Sequence, residues 1–214
     1  MTTSAKASDW ADHSEQRLLD AALPRAAALG FTPALLKAAA QGAGLSEGDA
    51  GLLLPNGPAD LVALLSRRHD ARALEALGDG AGLKIRQKIA AGLQARLDAA
   101  AADQEASKRA AGFLALPQNL SLAGRLTWES ADRLWRWAGD TATDENHYSK
   151  RAILSGILAP ALTIRLFDGP EPAESFVQAR IDNVMAFEKW KAGKDFGAPL
   201  KAAAEALAKM RYRA

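Results

Sequence analysis

Apolar side chains recur every three or four residues along most of the chain, which is the spacing of one face of an α-helix. The first such stripe comprises Leu18, Leu19, Ala22, Leu23, Ala26 and Leu29. Gly30 follows in the position of a helix C-cap, and Pro33 then occupies a natural helix start. Gly42 and Gly44 break the pattern that begins at Pro33. The sequence therefore predicts a first helix of about four turns and a second, shorter one.

A third, short helix is predicted directly after Ser46. Ser46 suits the N-cap position, and Glu47 and Asp49 lie in the first turn, where the helix dipole favours acidic groups. A turn over residues 55–58 then leads into a longer helix that carries apolar residues on one side. A helix followed by two short helices and a longer one is the order of a helix-turn-helix domain. The first third of the chain therefore resembles the head of a TetR-type protein.

The helical pattern continues through the remainder of the chain. Over residues 83–103 the apolar positions that define the buried face are Ile85, Ile89, Leu93 and Leu97. This predicts a long core helix with Lys84, Lys88 and Arg96 outside its buried face. Pro117 ends the helix that follows, and Ser121 opens another that continues to Gly139. Further helices over about 144–167 and 173–191 complete an all-α fold.

The two ends of the chain differ from this apolar centre. The first residues are polar and lack the apolar segment of a secretory signal, so residues 1–13 are expected to be a disordered tail. Residues 14–192 are expected to form the helical body. Residues 196–214 have the pattern of an amphipathic helix with lysine and arginine on its polar side. Its membrane-contacting residues are predicted to be Phe196, Leu200, Leu207 and Met210.

Composition narrows the range of functions. The 214 residues carry a formal net charge of +2 and contain no cysteine, which excludes disulfides and thiolate-bound metals and fits a reducing cytoplasm. The longest uncharged apolar run, residues 152–164, is much shorter than the roughly 20 residues that span a bilayer. A cytoplasmic protein, at most peripheral to a membrane, is therefore expected.

The helix-turn-helix order suggests DNA binding, but the charges in this segment oppose it. Residues 38–66 contain no lysine or arginine, although phosphate binding depends on these side chains. Glu47 and Asp49 instead occupy the segment that would enter the major groove. We therefore expect a TetR-like scaffold with another task and no nucleic-acid partner. A transcriptional regulator with a small apolar effector, and an interaction scaffold without a ligand, remain as alternatives.

No set of residues has the pattern of a catalytic or metal centre. The three histidines are scattered, and Asp144 three residues before His147 is a pair that occurs often by chance. The glycine-rich run over residues 78–84 lacks the preceding strand that phosphate-binding loops require. No Gly-x-Ser-x-Gly nucleophile motif is present. The sequence thus predicts a protein that is not an enzyme and uses no metal or cofactor.

Several short motifs resemble the accessory lipid-binding proteins of ubiquinone biosynthesis, known from mitochondria and alpha-proteobacteria. They lie in the head, at the Leu116-Pro-Gln-Asn119 elbow and around Trp135-Arg-Trp-Ala-Gly-Asp140. The head motifs are Gly30-Phe-Thr32, Gly44-Leu-Ser46 and Asp60-Leu61, and the motif at Trp135 continues with Thr143-Asp144, Tyr148 and Arg151-Ala-Ile-Leu154. The resemblance spans about residues 14–192.

This resemblance implies a TetR-like homodimer that has lost DNA binding, holds isoprenoid lipid or phospholipid in an internal pocket and ends in a membrane-touching helix. It implies a location at the inner face of the bacterial inner membrane. The implied task is to present the demethoxy-ubiquinone intermediate to a di-iron hydroxylase. The implied partner-binding residues are Asp132, Leu134, Trp135, Asp144, His147, Tyr148 and Arg151.

One departure from the family concerns the partner surface. Well-known members have tryptophan beside the tyrosine, whereas this sequence has His147 next to Tyr148. A smaller, ionisable ring replaces a large aromatic anchor, which puts the identity of the hydroxylase in question. From helix phase, the lipid-binding residues are predicted to be Leu114, Leu116, Leu126, Leu134, Trp137, Ile153, Ile157, Leu162 and Phe187.

Overall fold

A computed structural model describes the backbone over residues 2–141 and 145–192, and side chains over residues 10–141 and 147–184 and at residue 186. Within these ranges every regular element is helical, which confirms the all-α prediction. The chain divides into two compact units, Met1–Val177 and Gln178–Ala214. The predicted amphipathic helix over 196–214, with its four membrane-contacting residues, lies outside the described ranges.

The head of the protein consists of α1 (Thr2–Leu29), α2 (Pro33–Gly42) and α3 (Glu47–Leu53). Gly30 ends α1 with a φ of +61°, as the C-cap prediction requires. The Ser46 hydroxyl accepts a hydrogen bond from the Asp49 backbone N–H at 3.0 Å, which confirms the predicted N-cap of α3. Helix starts and stops in the head thus follow directly from local side-chain chemistry.

The first helix begins earlier than the sequence pattern indicates. The expected disordered tail over residues 1–13 differs from the structure, in which α1 starts at Thr2. No proline or glycine lies ahead of Ser14 to stop a helix, and Ser14 itself is buried. Helix α1 therefore begins well before the apolar stripe that starts at Leu18.

Four further helices follow the head within the first unit: α4 (Pro58–Leu77), α5 (Ile85–Ala102), α6 (Gln104–Leu114) and α7 (Leu120–Trp137). A single 3₁₀ turn over Pro117–Asn119 separates α6 from α7 at the predicted break. In α5 the predicted buried face is partly wrong. Ile85 is 51% exposed, whereas Arg96 is buried because it pairs with Asp70 of α4.

Beyond α7 the chain forms α8 (Glu145–Phe167) and α9 (Pro170–Ala192), close to the predicted ranges of 144–167 and 173–191. Helix α8 packs against α5, α6 and α7, and it contains Pro160 in its interior. None of the helices within the described ranges is long and apolar enough to cross a membrane.

The loop between α4 and α5 is fixed by a tryptophan from α7. The indole Nε1 of Trp137 donates a hydrogen bond to the Gly78 carbonyl at 2.6 Å. Gly80 has a φ of +61°, and a Cβ atom added to it would lie 2.7 Å from Cζ2 of Trp137. The Lys88 ammonium lies 5.7 Å from the Trp137 ring centroid. The indole ring thus fills a space that only glycine leaves open.

Replacing Gly80 by alanine should therefore destabilise the protein in two ways. The left-handed backbone costs about 1–2 kcal/mol for a residue with a Cβ, and the contact with Trp137 adds to this loss. Gly82→Ala is the matched control, since Gly82 has a φ of +78° and no atom within 4 Å of its added Cβ. Urea unfolding should show a larger loss for Gly80→Ala; equal losses would mean that the indole does not confine the loop.

Candidate functional site

The corner between α7 and α8 is built around a buried guanidinium. Arg151, whose side chain is 2% exposed, donates from Nε to Asp132 at 2.6 Å and from Nη1 to Asp140 at 3.0 Å. Nη1 also donates to the carbonyl of His147 one helical turn earlier. A charge in such a place requires opposite charges and hydrogen bonds to offset the loss of hydration. Arg151 therefore ties the start of α8 to Asp132 of α7 and to Asp140, the second residue after the C-cap of α7.

The two carboxylates that face Arg151 are stabilised in their charged form. A hydrogen bond from Lys150, aided by Arg151, holds the pKa of Asp140 below its ordinary value. Burial raises the pKa of Asp132, but the hydrogen bond and charge of Arg151, together with Arg136, outweigh this and leave it lowered. Both carboxylates are therefore charged at neutral pH.

Trp135 closes the cluster from one side. Its indole Nε1 donates to the Lys150 carbonyl at 3.0 Å, and the Lys150 ammonium lies 5.3 Å from its ring centroid. The same ammonium binds Asp140 at 2.6 Å. The backbone of α8 is thus held against α7 by both a charged and an aromatic side chain.

An aromatic surface, formed by Trp128, His147 and Tyr148, covers the outside of this corner. The Tyr148 ring lies 6.3 Å from that of Trp128 and 5.1 Å from that of His147. Tyr148 is 64% exposed, although it is one of the largest apolar side chains in the described part of the chain. An exposed tyrosine on a rigid support is typical of a protein-binding surface.

The predicted partner-binding residues divide into two groups. Asp132, Trp135, His147 and Tyr148 are at least partly exposed at the corner. Leu134 and Arg151 are buried, so a partner cannot reach them unless the corner changes. Asp144 lies outside the described residues. The structure thus gives Arg151 a supporting position behind the surface.

A cavity of about 90 Å³ lies between α4, α5, α6, α7 and α8. Three of the predicted lipid-binding residues line it, namely Leu114, Leu126 and Leu162. Leu158 and Leu166 extend the apolar wall. An apolar cavity is thus present among these helices, but its volume is small.

The other predicted lipid-binding residues lie elsewhere. Leu116 and Ile153 are exposed, and Leu134 and Ile157 are buried without lining the cavity. Trp137 packs against the loop over residues 78–82. The side chain of Phe187 lies outside the described set.

The polar wall of the cavity was not predicted from the sequence. Arg96 donates from Nε to Asp70 at 2.6 Å, and the Ser130 hydroxyl donates to the same carboxylate oxygen at 2.7 Å. His69 lies beside them, with Nε2 3.1 Å from Asp103. The helical spacing of α5 could have predicted that Arg96 is buried. Leu93, Arg96 and Ala100 are three and four residues apart and therefore lie on the same face of the helix.

Burial, together with the nearby charge of Arg96, lowers the pKa of His69 to about 4 against the opposing effect of Asp103. His69 is therefore neutral near pH 7 and adds no charge to the cavity. Within the described ranges no three His, Asp or Glu residues come together as a metal site would need.

Residues 120–188, which include α7 and α8, match the family model described as COQ9. The chain is similar to COQ9 proteins. The match confirms the resemblance predicted from sequence, and it contains the whole ion cluster and the aromatic surface of the α7–α8 corner.

Individual COQ9 proteins extend this similarity along more of the chain. The mitochondrial ubiquinone biosynthesis protein COQ9 of Rattus norvegicus is 29% identical over 183 residues, covering 80% of this chain and 58% of the rat protein. The Homo sapiens protein of that name is 26% identical over 182 residues, with coverages of 80% and 57%. COQ9-A of Xenopus laevis is 34% identical over 80 residues, covering 36% of this chain and 25% of its own. The chain spans a little over half the length of the first two relatives.

The COQ9-like corner should depend on Arg151 far more than on Arg136, although both bind Asp132 at similar distances. Arg151→Met leaves two carboxylates without their buried partner and should cost about 3–5 kcal/mol of unfolding free energy. Arg136 is 70% exposed, so Arg136→Met should cost at most about 1 kcal/mol. Chemical denaturation of both variants measures the difference; similar small losses would show that the cluster does not hold the corner.

Proposed function

We propose that this protein is a non-catalytic, lipid-binding accessory of ubiquinone biosynthesis that presents the demethoxy-ubiquinone intermediate to a hydroxylase. The relatives named ubiquinone biosynthesis protein COQ9 support the pathway. The observation that carries the proposal is the exposed aromatic surface on a buried ion cluster, within the segment that matches COQ9. In this proposal the surface binds the hydroxylase.

The corner suits protein binding because it is rigid before any partner arrives. Arg151 and Trp135 fix α8 against α7 from inside, so Tyr148 is displayed without a large loss of conformational entropy on binding. Asp132 adds a carboxylate at the edge of the same surface, where a charged partner residue can reach it. His147 stands where well-known family members have tryptophan, so the aromatic contact area is smaller. We therefore expect a hydroxylase whose surface fits the smaller histidine ring.

The lipid part of the proposal follows from solvation. A long isoprenoid chain remains in the bilayer unless protein covers it, and burial contributes roughly 25 cal/mol per Å² of apolar surface. The leucine-lined cavity supplies such a surface at Leu114, Leu126 and Leu162. Its volume of about 90 Å³ is below the 150 Å³ of a cavity that holds benzene. Uptake of a long chain therefore requires the helices around it to separate.

The proposal also includes membrane contact, dimerisation and a cellular location. A C-terminal amphipathic helix over 196–214 would touch the membrane and collect the lipid, with anionic lipid strengthening the contact through its basic residues. A homodimer would provide two such contacts, which raises the effective affinity for the surface. The proposed location is the inner face of the bacterial inner membrane.

The partner surface can be tested with one aromatic substitution. Tyr148→Ala should weaken binding of the demethoxy-ubiquinone hydroxylase by about 30-fold, since an anchoring tyrosine contributes roughly 2 kcal/mol or more. Leu52→Ala is the control, because Leu52 is an 81% exposed apolar residue in the head. Titration of each variant with the hydroxylase measures the affinity. Equal affinities of the two variants would mean that the aromatic surface does not bind the hydroxylase.

Lipid binding can be tested by extraction and by closing the cavity. Organic extracts of the purified protein should contain isoprenoid lipid or phospholipid by mass spectrometry. Leu162→Trp places a large ring at the cavity wall and should reduce the recovered lipid several-fold, while Ile153→Trp, at an exposed position, should not. Repeated recovery of lipid-free wild-type protein that takes up no lipid from vesicles would contradict the carrier function.

A further inference from the structure

The segment that connects α4 to α5 exposes two large apolar side chains close together. Residues 81–87 are all exposed, and among them Leu83 is 41% and Ile85 is 51% exposed. Ile85 is also the first residue of α5, so its side chain is displayed at the very start of that helix. Neighbouring exposed aliphatic side chains in a short loop are typical of a surface that another molecule covers.

Basic residues alternate with these apolar ones. Lys84 and Arg86 flank Ile85, and Lys88 follows in the first turn of α5. Asp79 is the only acidic residue in the segment 78–88, which we call the basic loop. From residue 80 to residue 97 the sequence contains no Asp or Glu. The basic loop therefore has a net charge of +2.

Helix stability does not explain these cations. The first turn of α5 contains Arg86 and Lys88 and no acidic residue, although the N-terminal end of the helix dipole favours acids and disfavours cations. The first turn of α3 follows the usual preference with Glu47 and Asp49. A departure from local helix preference is expected where function requires it. The cations of the basic loop thus favour an anionic partner.

The basic loop is held in place by α7 before any partner binds. The indole Nε1 of Trp137 donates to the Gly78 carbonyl at 2.6 Å, and its ring packs against Gly80. In the same last turn of α7, Trp135 donates to the Lys150 carbonyl of α8. The basic loop and the aromatic surface of the α7–α8 corner are therefore attached to the same end of α7.

The surface of an anionic membrane fits this combination of side chains better than an acidic protein does. Lysine and arginine can lay their hydrocarbon stems beside apolar groups and extend their charged ends to lipid phosphates. Aliphatic side chains can enter the boundary between headgroups and acyl chains. Protein-binding surfaces are instead enriched in aromatic residues and poor in lysine, and the basic loop contains no aromatic residue.

We propose that the basic loop binds the surface of an anionic membrane, with Leu83 and Ile85 at the headgroup boundary and the neighbouring cations on lipid phosphates. This contact is separate from the one proposed over residues 196–214. Its consequence rests on the proposed function: a hydroxylase bound at the α7–α8 corner lies beside the bilayer that holds its isoprenoid substrate.

The sequence contains no cysteine, so a single introduced cysteine can report on the loop in the whole chain. Leu83→Cys labelled with the fluorophore NBD should brighten and shift to the blue on vesicles of phosphatidylcholine and phosphatidylglycerol, and nitroxide-labelled lipid should quench it. Leu52→Cys with the same label is the control, because Leu52 is an 81% exposed apolar residue in the head. A label at residue 83 that stays in water, or labels that respond alike at both positions, would overturn the assignment.

Charge substitutions test the contact with lipid phosphates, with the label at residue 83 as the readout. Lys84→Gln and Arg86→Gln should each weaken insertion into the anionic vesicles by about fivefold, and higher salt should weaken it further. Lys37→Gln is the matched control, since the Lys37 side chain is 61% exposed and lies in the head. Equal losses for the loop and head substitutions, or equal insertion into vesicles of phosphatidylcholine alone, would refute the role of the loop cations.

The same measurements separate this inference from the proposed function. Vesicle binding without insertion at residue 83 would refute the contact of the basic loop and leave the contact proposed over residues 196–214. Insertion of the loop in a protein whose organic extracts never contain lipid would support the loop contact and refute the carrier function alone.

Discussion

Removal of a guanidinium from water is the constraint on which the α7–α8 corner depends. Arg151 loses nearly all its contact with solvent, and among the described residues Asp132, Asp140 and the carbonyl of His147 offset that loss. These partners come from α7, from the segment that follows it and from α8 itself. The position of α8 on α7 is therefore set by charge geometry as well as by apolar packing, which is less specific in direction. The aromatic surface is built on this fixed position.

A second buried arginine performs a similar task between other helices. Arg96 of α5 binds Asp70 of α4, and that carboxylate also accepts a hydrogen bond from Ser130 of α7. Three helices thus meet at one carboxylate beside the cavity. The two clusters differ, since Arg151 binds two carboxylates while Nη1 of Arg96 has no partner among the described residues. The Arg151 cluster supports the aromatic surface, and the Arg96 cluster borders the cavity.

Local chemistry made much of the fold predictable from sequence. Gly30, Pro33 and Ser46 act on their own neighbours, so caps and helix starts are encoded within a few residues. The motif around Trp135 likewise identified the relatives and the corner. The predicted N-terminal tail differed because periodicity records packing, and a helix can run past its packed face.

The cavity and the buried ion pairs depend on residues far apart in the chain, so sequence patterns located them less well. Arg96 follows the apolar phase of α5, yet its burial depends on Asp70, 26 positions away. Trp137 is large and apolar, as expected of a pocket residue, but its ring packs against Gly80 in the loop between α4 and α5. Helix phase identified three cavity residues because they face inward on their own helices. It could not determine how closely the neighbouring side chains fill the remaining space.

Pro160 interrupts the hydrogen bonding of α8 between the turn that carries Tyr148 and the turn that carries Leu162. Proline has no backbone N–H, so the helix lacks one internal hydrogen bond at that turn. Arg151 clamps the segment before it, whereas Leu162 borders the cavity just after it. In the proposed function, the part of α8 beyond Pro160 tilts during lipid exchange while the part that carries Tyr148 stays bound to α7.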